Sequence, residues 1–238
     1  MNRFRSPFSF ASATQYLVLT NILVYAIQVL LQSGQGASNS GGDLFSVFNL
    51  RGISWFEQIF ALQAPPQSYR VVWQVVTFMF LHGGITHILF NMWALWLFGT
   101  ALERVWGAEY FLKYYFVAGI GSGITVVLLS LISPHYVYSI CQQMPMPLPD
   151  GCIPVTLGAS GAIFGLLLAF GMLFPEQLIY LYFAVPIKAK YAVILFGGLE
   201  FFLTVGPNLE PGVSHIGHLG GILFGFIFLK GRSLVRRL

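Results

Sequence analysis

The sequence predicts an all-α, polytopic membrane fold: one domain, residues 1–238, built as a bundle of six transmembrane helices. Three observations lead there. Of the 238 residues 56% are hydrophobic and 8% charged, with a mean hydropathy of +0.75, so a water-soluble domain would lack polar surface to cover its core. Apolar stretches able to cross a hydrocarbon layer about 30 Å thick recur at about 13–31, 82–102, 110–132, 158–174, 190–206 and 214–230. The basic residues also fall on one side of the topology that those stretches imply. The formal charge of +4 would hint at nucleic acid in a soluble protein; here it is assigned to orientation, and no nucleic-acid partner is expected.

The first stretch follows Arg3 and Arg5, as a secretory signal would. It exceeds the usual signal core, however, and further apolar stretches follow, so a retained helix is expected. The connection 32–81 begins rich in Gly and Ser, then turns aromatic through Phe45, Phe48, Trp55, Phe56 and Phe60, which suits the membrane interface. The connection 135–157 contains Pro145, Pro147, Pro149 and Pro154 and cannot be a regular helix. It also holds Cys141 and Cys152, which suit either a disulfide in an oxidising compartment or two free thiols. Their spacing does not suggest a metal site. The fourth stretch is short, bounded by Gly158 and by Pro175-Glu176. Such a helix can begin beneath the membrane surface only where its end lines protein or a wet cavity.

Placing both termini and the connections after the second and fourth spans on one side collects Arg3, Arg5, Arg104, Lys113, Lys188, Lys190, Lys230, Arg232, Arg236 and Arg237. Only Arg51 and Arg70 remain opposite. By the positive-inside rule both termini are cytoplasmic. His82, His87 and Asn91 in the first half of span two, Ser160 at the start of span four and His218 near the start of span six then lie toward the outer leaflet. Polar groups from separate spans at one depth point to a shared pocket.

A serine hydroxyl needs a base to take its proton, and histidine is the usual one; Ser160 and His218 form such a pair. Each also has a plainer reading. Ser160, with Gly161 and Gly165, suits a close-packed seam, and His218 a buried, hydrogen-bonded histidine. His87 and Asn91, four apart on one helical face, can donate hydrogen bonds to a developing oxyanion. The Ser160 N–H, at a helix N-terminus, is a further donor. The alternative is that span two uses its polar groups as interhelical glue. The pattern is not the G-x-S-x-G elbow, because Ala162 stands where the second glycine would be. No acidic residue lies near His218 in sequence, so a dyad is expected without an orienting carboxylate. Glu200, the acid well inside an apolar stretch, is assigned a structural partnership or a place near the outer end. His82, His87, His215 and His218 could form a metal site, but that leaves Ser160 and Asn91 without roles; no metal is expected. His215 is read as a supporting group and His135 as a loop residue.

These residues resemble the rhomboid family of intramembrane serine proteases. His87-Ile88-Leu89-Phe90-Asn91 is similar to its H-x-x-x-N, Gly158-Ala159-Ser160-Gly161 to its G-x-S-G, and His218 with Gly221 and Gly225 to its H-x-x-G-x-x-x-G. The motifs stand in the family's order and cover about 73–225. The resemblance implies that Ser160 attacks the scissile carbonyl and that His218 serves as general base and then acid. It gives His87, Asn91 and the Ser160 amide to the oxyanion, and His82 a supporting role. It makes the aromatic connection a loop in the outer leaflet, and makes span five and residues 206–213 the mobile access route for substrate. Two departures stand out. Trp73-Gln74 replaces the Trp-Arg of several members, which questions how the loop is anchored, and Phe164 replaces a tyrosine that faces the histidine in some. The function expected is an endopeptidase of a bacterial inner membrane that cleaves single-span membrane proteins within the lipid bilayer, with no small-molecule cofactor. The alternatives are a non-enzymatic membrane chaperone or adaptor of the same fold and a histidine-cluster metal-binding protein.

Overall fold

The computed structural model describes residues 12–33, 55–63, 71–133, 155–181, 184–205 and 215–235. It is a helical membrane bundle. In chain order the helices are α1 (Ala13–Ser33), α2 (Trp55–Phe60), α3 (Val71–Thr77), α4 (Ile85–Trp106), α5 (Ala108–Ile132), α6 (Ser160–Leu173), α7 (Ala189–Val205) and α8 (His215–Val235). By length and hydropathy α1 (as far as Leu31), α4 and α5 are each able to cross a membrane, and α6 and most of α8 are shorter apolar helices. The helical stretches expected from the sequence are therefore present, with altered edges. The second begins at Ile85 rather than 82, because Leu81 and Gly84 are extended. His82 thus precedes the helix instead of lying within it. The Cys141–Cys152 question, the arginines near the N-terminus and residues 206–213 lie outside the described residues.

α1 opens with a reciprocal cap, Ser12 N–H donating to Gln15 Oε1 and Gln15 N–H to Ser12 Oγ. Glu103 of α4 adds a carboxylate at the same end, accepting the N–H groups of Ala13 and Thr14 and the Thr14 hydroxyl at 2.7–2.9 Å. A negative group there satisfies orphan donors and opposes the helix dipole. Midway, α4 widens into a π turn, Leu95–Gly99.

The centre of the bundle is α6. Its residues from Gly161 to Gly171 are buried apart from Phe164, and its 14 residues reach only about 21 Å at 1.5 Å per residue. A helix of that length falls short of a hydrocarbon layer about 30 Å thick, and Ser160 is its first residue. It is gripped by α5 and α8 through small residues. A Cβ on Gly221 would lie 1.9 Å from the Gly161 carbonyl oxygen, one on Gly161 2.1 Å from Ser122 Oγ, and one on Gly225 2.4 Å from the Tyr114 hydroxyl. Backbones that approach this closely gain dispersion contacts that larger residues would forbid. Tyr114, fully buried, donates its hydroxyl hydrogen to the Gly165 carbonyl at 2.6 Å.

Two short strand pairs, unforeseen in the sequence, tie the connections together. β1 (Leu62–Gln63) pairs antiparallel with β2 (Val155–Thr156), and β3 (Leu178–Leu181) with β4 (Val185–Lys188). The first pair straps the aromatic loop to the segment that leads into α6. The loop is held from α3 as well. Buried Gln74 accepts from the Gln63 N–H and donates to the carbonyls of Gln58 and Ile59, all at 3.2 Å. Trp73 Nε1 donates to Ile59 O and Thr77 Oγ1 to Phe60 O. The last carbonyls of α2, which have no helical acceptor role to fill, are thus satisfied by side chains. Gln74 supplies the anchoring that the missing arginine had put in question.

Candidate active site

Ser160 is the first residue of α6, and its position is set by the two residues before it. Gly158 has φ +123°, a conformation costly for any residue with a Cβ. Its N–H donates to the Phe78 carbonyl at 2.9 Å. The same glycine leaves room for span-two side chains: a Cβ there would lie 2.8 Å from His87 Nε2 and 3.5 Å from Asn91 Nδ2. Gly158 is required twice over, by backbone conformation and by contact.

Across from Ser160, His218 projects from the first turn of α8. Its Nε2 lies 2.7 Å from Ser160 Oγ. One face of the imidazole is stacked on Phe164, centroid to centroid 4.4 Å with 15° between planes. The aromatic face expected at position 164 is present without a hydroxyl.

His87 and Asn91 lie on one face of α4. Gly83 N–H donates to His87 Nδ1 at 3.3 Å, which makes that nitrogen the acceptor and places the ring proton on Nε2, the atom facing Gly158. Asn91 is buried, and its Nδ2 has no hydrogen-bond partner among the described residues. A buried amide donor left without an acceptor costs about 1–3 kcal/mol. His82 is buried edge-on to His87, ring centroids 5.1 Å apart. Gln28 holds its backbone, accepting the His82 N–H at 3.0 Å, and also donates to Glu57 Oε1 at 2.9 Å.

One group was missed. The sequence placed no acid near His218, but α7 brings Glu200 beside it: Oε2 lies 3.0 Å from His218 Nδ1, off the line of that N–H, and 2.7 Å from His215 Nδ1. The Ser160 and His218 pair, expected without an acid near it, thus has a buried carboxylate beside the imidazole. The structural partnership expected for Glu200 is with His215. The signal was present in the sequence, since a lone acid in an apolar span must find a partner. It could not name the partner, because Glu200 and His218 sit on different helices.

The four-histidine cluster is also redrawn. His82 and His87 pair on one side, whereas Glu200, His215 and His218 offer ligand-type atoms within 4.8 Å of one another. Among the described residues, those three are the group able to hold a metal ion. Each is already engaged with another of the set.

Taken together, a hydroxyl with an imidazole at hydrogen-bond distance, and the N–H groups of His87 and Asn91 on α4 close to Gly158, form an arrangement that can perform nucleophilic acyl transfer.

Comparison with known proteins agrees in extent and position. The model of the rhomboid domain matches residues 69–233. Rhomboid protease GluP of Bacillus subtilis is 34% identical over 157 residues, 65% of this chain and 25% of that protein. Rhomboid-like protein 16, chloroplastic, of Arabidopsis thaliana is 29% identical over 64% of this chain and 47% of its own length. Rhomboid protease AarA of Providencia stuartii is 27% identical over 97% of this chain and 79% of its own. The chain therefore spans a quarter to a half of the first two and most of the third. With more than half of its residues matched by one family's model, the chain belongs to the rhomboid family.

Proposed function

We propose that the protein is an intramembrane serine endopeptidase that uses Ser160 and His218 to cut transmembrane segments of single-span membrane proteins. The observation that carries the reading is the 2.7 Å contact between Ser160 Oγ and His218 Nε2 at the first turns of α6 and α8. The names of the bacterial relatives, each a rhomboid protease, support it.

In the proposed reaction Ser160 Oγ attacks the scissile carbonyl carbon while its proton passes to His218 Nε2. The carbonyl oxygen becomes an oxyanion that accepts from His87 Nε2–H, Asn91 Nδ2 and the Ser160 N–H. His218 then gives its proton to the departing amine, leaving an acyl group on Ser160. Water, activated by the same imidazole, releases the acyl group. Helical peptide bonds are shielded by their own hydrogen bonds, so residues of low helix propensity near the cut should favour cleavage. The one-sided distribution of basic residues supports cytoplasmic termini in a bacterial inner membrane, with the site toward the outer leaflet. Six spans remain the count that the sequence supports.

The test is a panel of single-span reporter proteins incubated with purified wild type, Ser160→Ala and His218→Ala, with products mapped by mass spectrometry. The expected result is a cut within or next to the reporter's transmembrane segment by wild type alone. Undiminished cleavage by either variant would overturn the proposal.

A further inference from the structure

Glu200 is an expensive residue to keep where it is. Its side chain is 11% exposed, beside histidines at 4% and 12%, and a carboxylate withdrawn from water to that degree costs several kcal/mol unless well paired. If the only need were to seat α7 against α8, an apolar side chain would serve. The carboxylate instead presents one oxygen to two imidazoles a turn apart on α8, His215 at 2.7 Å and His218 at 3.0 Å, both through Nδ1.

Nδ1 is the nitrogen that decides what His218 can do. To accept the Ser160 proton, Nε2 must carry a lone pair, so the ring's own proton must sit on Nδ1. A carboxylate beside Nδ1 selects that tautomer and stabilises the imidazolium formed once the serine proton has moved. Phe164 fixes the ring plane from one face, leaving rotation within that plane as the freedom Glu200 can restrain.

The geometry points to Glu200 as a positioning residue for His218, with His215 steadying the carboxylate from its other side. The inference rests on the proposed Ser160 and His218 chemistry. It also ties that chemistry to the seat of α7. Near its start α7 fits tightly: a Cβ on Gly171 would lie 2.4 Å from Val193 Cγ2 and 3.2 Å from the Ala189 carbonyl. Farther along, a Cβ on Gly198 would meet nothing within 4 Å and one on Gly197 only Ile222 Cδ1 at 3.5 Å. Glu200 is thus a polar contact between α7 and α8 beyond Gly197 and Gly198, and its carboxylate faces His218 only while that contact is closed.

The experiment compares purified full-length wild type, Glu200→Gln, Glu200→Asp, His215→Gln and Ser160→Ala on one transmembrane reporter, with kcat, KM and thermal unfolding measured in the same detergent. Glu200→Gln is expected to lower kcat about 100-fold or more, as losing an orienting carboxylate does elsewhere, with KM changed less than about threefold. Glu200→Asp should recover at least about tenfold of that loss, and His215→Gln should cost about tenfold. Glu200→Gln with kcat within about threefold of wild type would overturn the inference and leave a structural pair. So would a loss that Glu200→Asp fails to rescue and that follows the unfolding temperature alone. Wild-type activity abolished by EDTA and restored by zinc would assign the three residues to a metal instead. A wild type that neither cleaves nor differs from Ser160→Ala would refute the underlying protease reading, and this inference with it.

Discussion

Gly221→Ala is the perturbation that the fold resists most specifically. The new Cβ would lie 1.9 Å from the Gly161 carbonyl oxygen and 2.7 Å from its carbon, and both are backbone atoms that no rotamer change can move. Ordinary contact begins near 3.4 Å, so α8 must withdraw from α6 by about 1.5 Å at this point. His218 is one turn away on the same helix and Ser160 is next to Gly161. The 2.7 Å contact between them would lengthen past 3.2 Å, the hydrogen-bond limit, if even half of the displacement reached it. Overpacking of this kind costs about 1–3 kcal/mol of stability, and about 1 Å of misplacement costs about 100-fold in rate. The assay pairs thermal unfolding in detergent with reporter cleavage. The expected result is a lower unfolding temperature and a rate down about 100-fold or more. A Gly221→Ala protein with wild-type rate and stability would show that α6 and α8 do not approach as closely as described, and the reasoning would fail.

Asn91→Ala removes a buried amide whose Nδ2 has no partner among the described residues, so stability should be unchanged or slightly higher while cleavage falls about 100- to 1,000-fold, the usual cost of one oxyanion donor; equal loss of both would make Asn91 structural. Glu103→Ala strips the start of α1 of three accepted hydrogen bonds and should cost about 1–2 kcal/mol, read as a lower unfolding temperature. Glu176, in the exposed turn before β3, is bonded to Lys188 and then to Lys190, which together push its carboxyl from 4.5 down to about 2. Because the folded value is depressed, whatever this contact adds is complete above about pH 4.5 and disappears as pH falls toward about 2. Carboxyl NMR should place the Glu176 midpoint near 2 and return it toward 4.5 in Lys188→Ala/Lys190→Ala.

Much of the site was legible because its parts lie close together in sequence or in recurring patterns. Gly158 to Gly161 sets out a glycine turn and a helix start, and His87 with Asn91 shows helical spacing. His218, Gly221 and Gly225 combine the base with the seam that brings it near Ser160. The same residues serve packing and, on the proposed reading, chemistry, so the two readings of each can hold at once. What escaped was whatever depends on one helix meeting another. Glu200 and His218 are joined only by the antiparallel course of α7 and α8. Gln74 reads as a substitution in a motif until its amide is seen spanning three backbone groups. The β1 and β2 strands are two residues each, too short for any alternating pattern to announce them. His82 was placed in a helix because an apolar run gives no sign of where the backbone straightens before Ile85.

On the proposed mechanism the half-buried His218 imidazole makes one serine hydroxyl, that of Ser160, reactive. This claim is tested most directly by treating the purified protein with a fluorophosphonate and locating the adduct by peptide mass spectrometry, in wild type and in His218→Ala. The expected result is a single adduct on Ser160, formed by wild type and reduced to background by loss of His218. Labelling of Ser160 at an unchanged rate without His218, or no adduct on Ser160 in folded wild type, would contradict it.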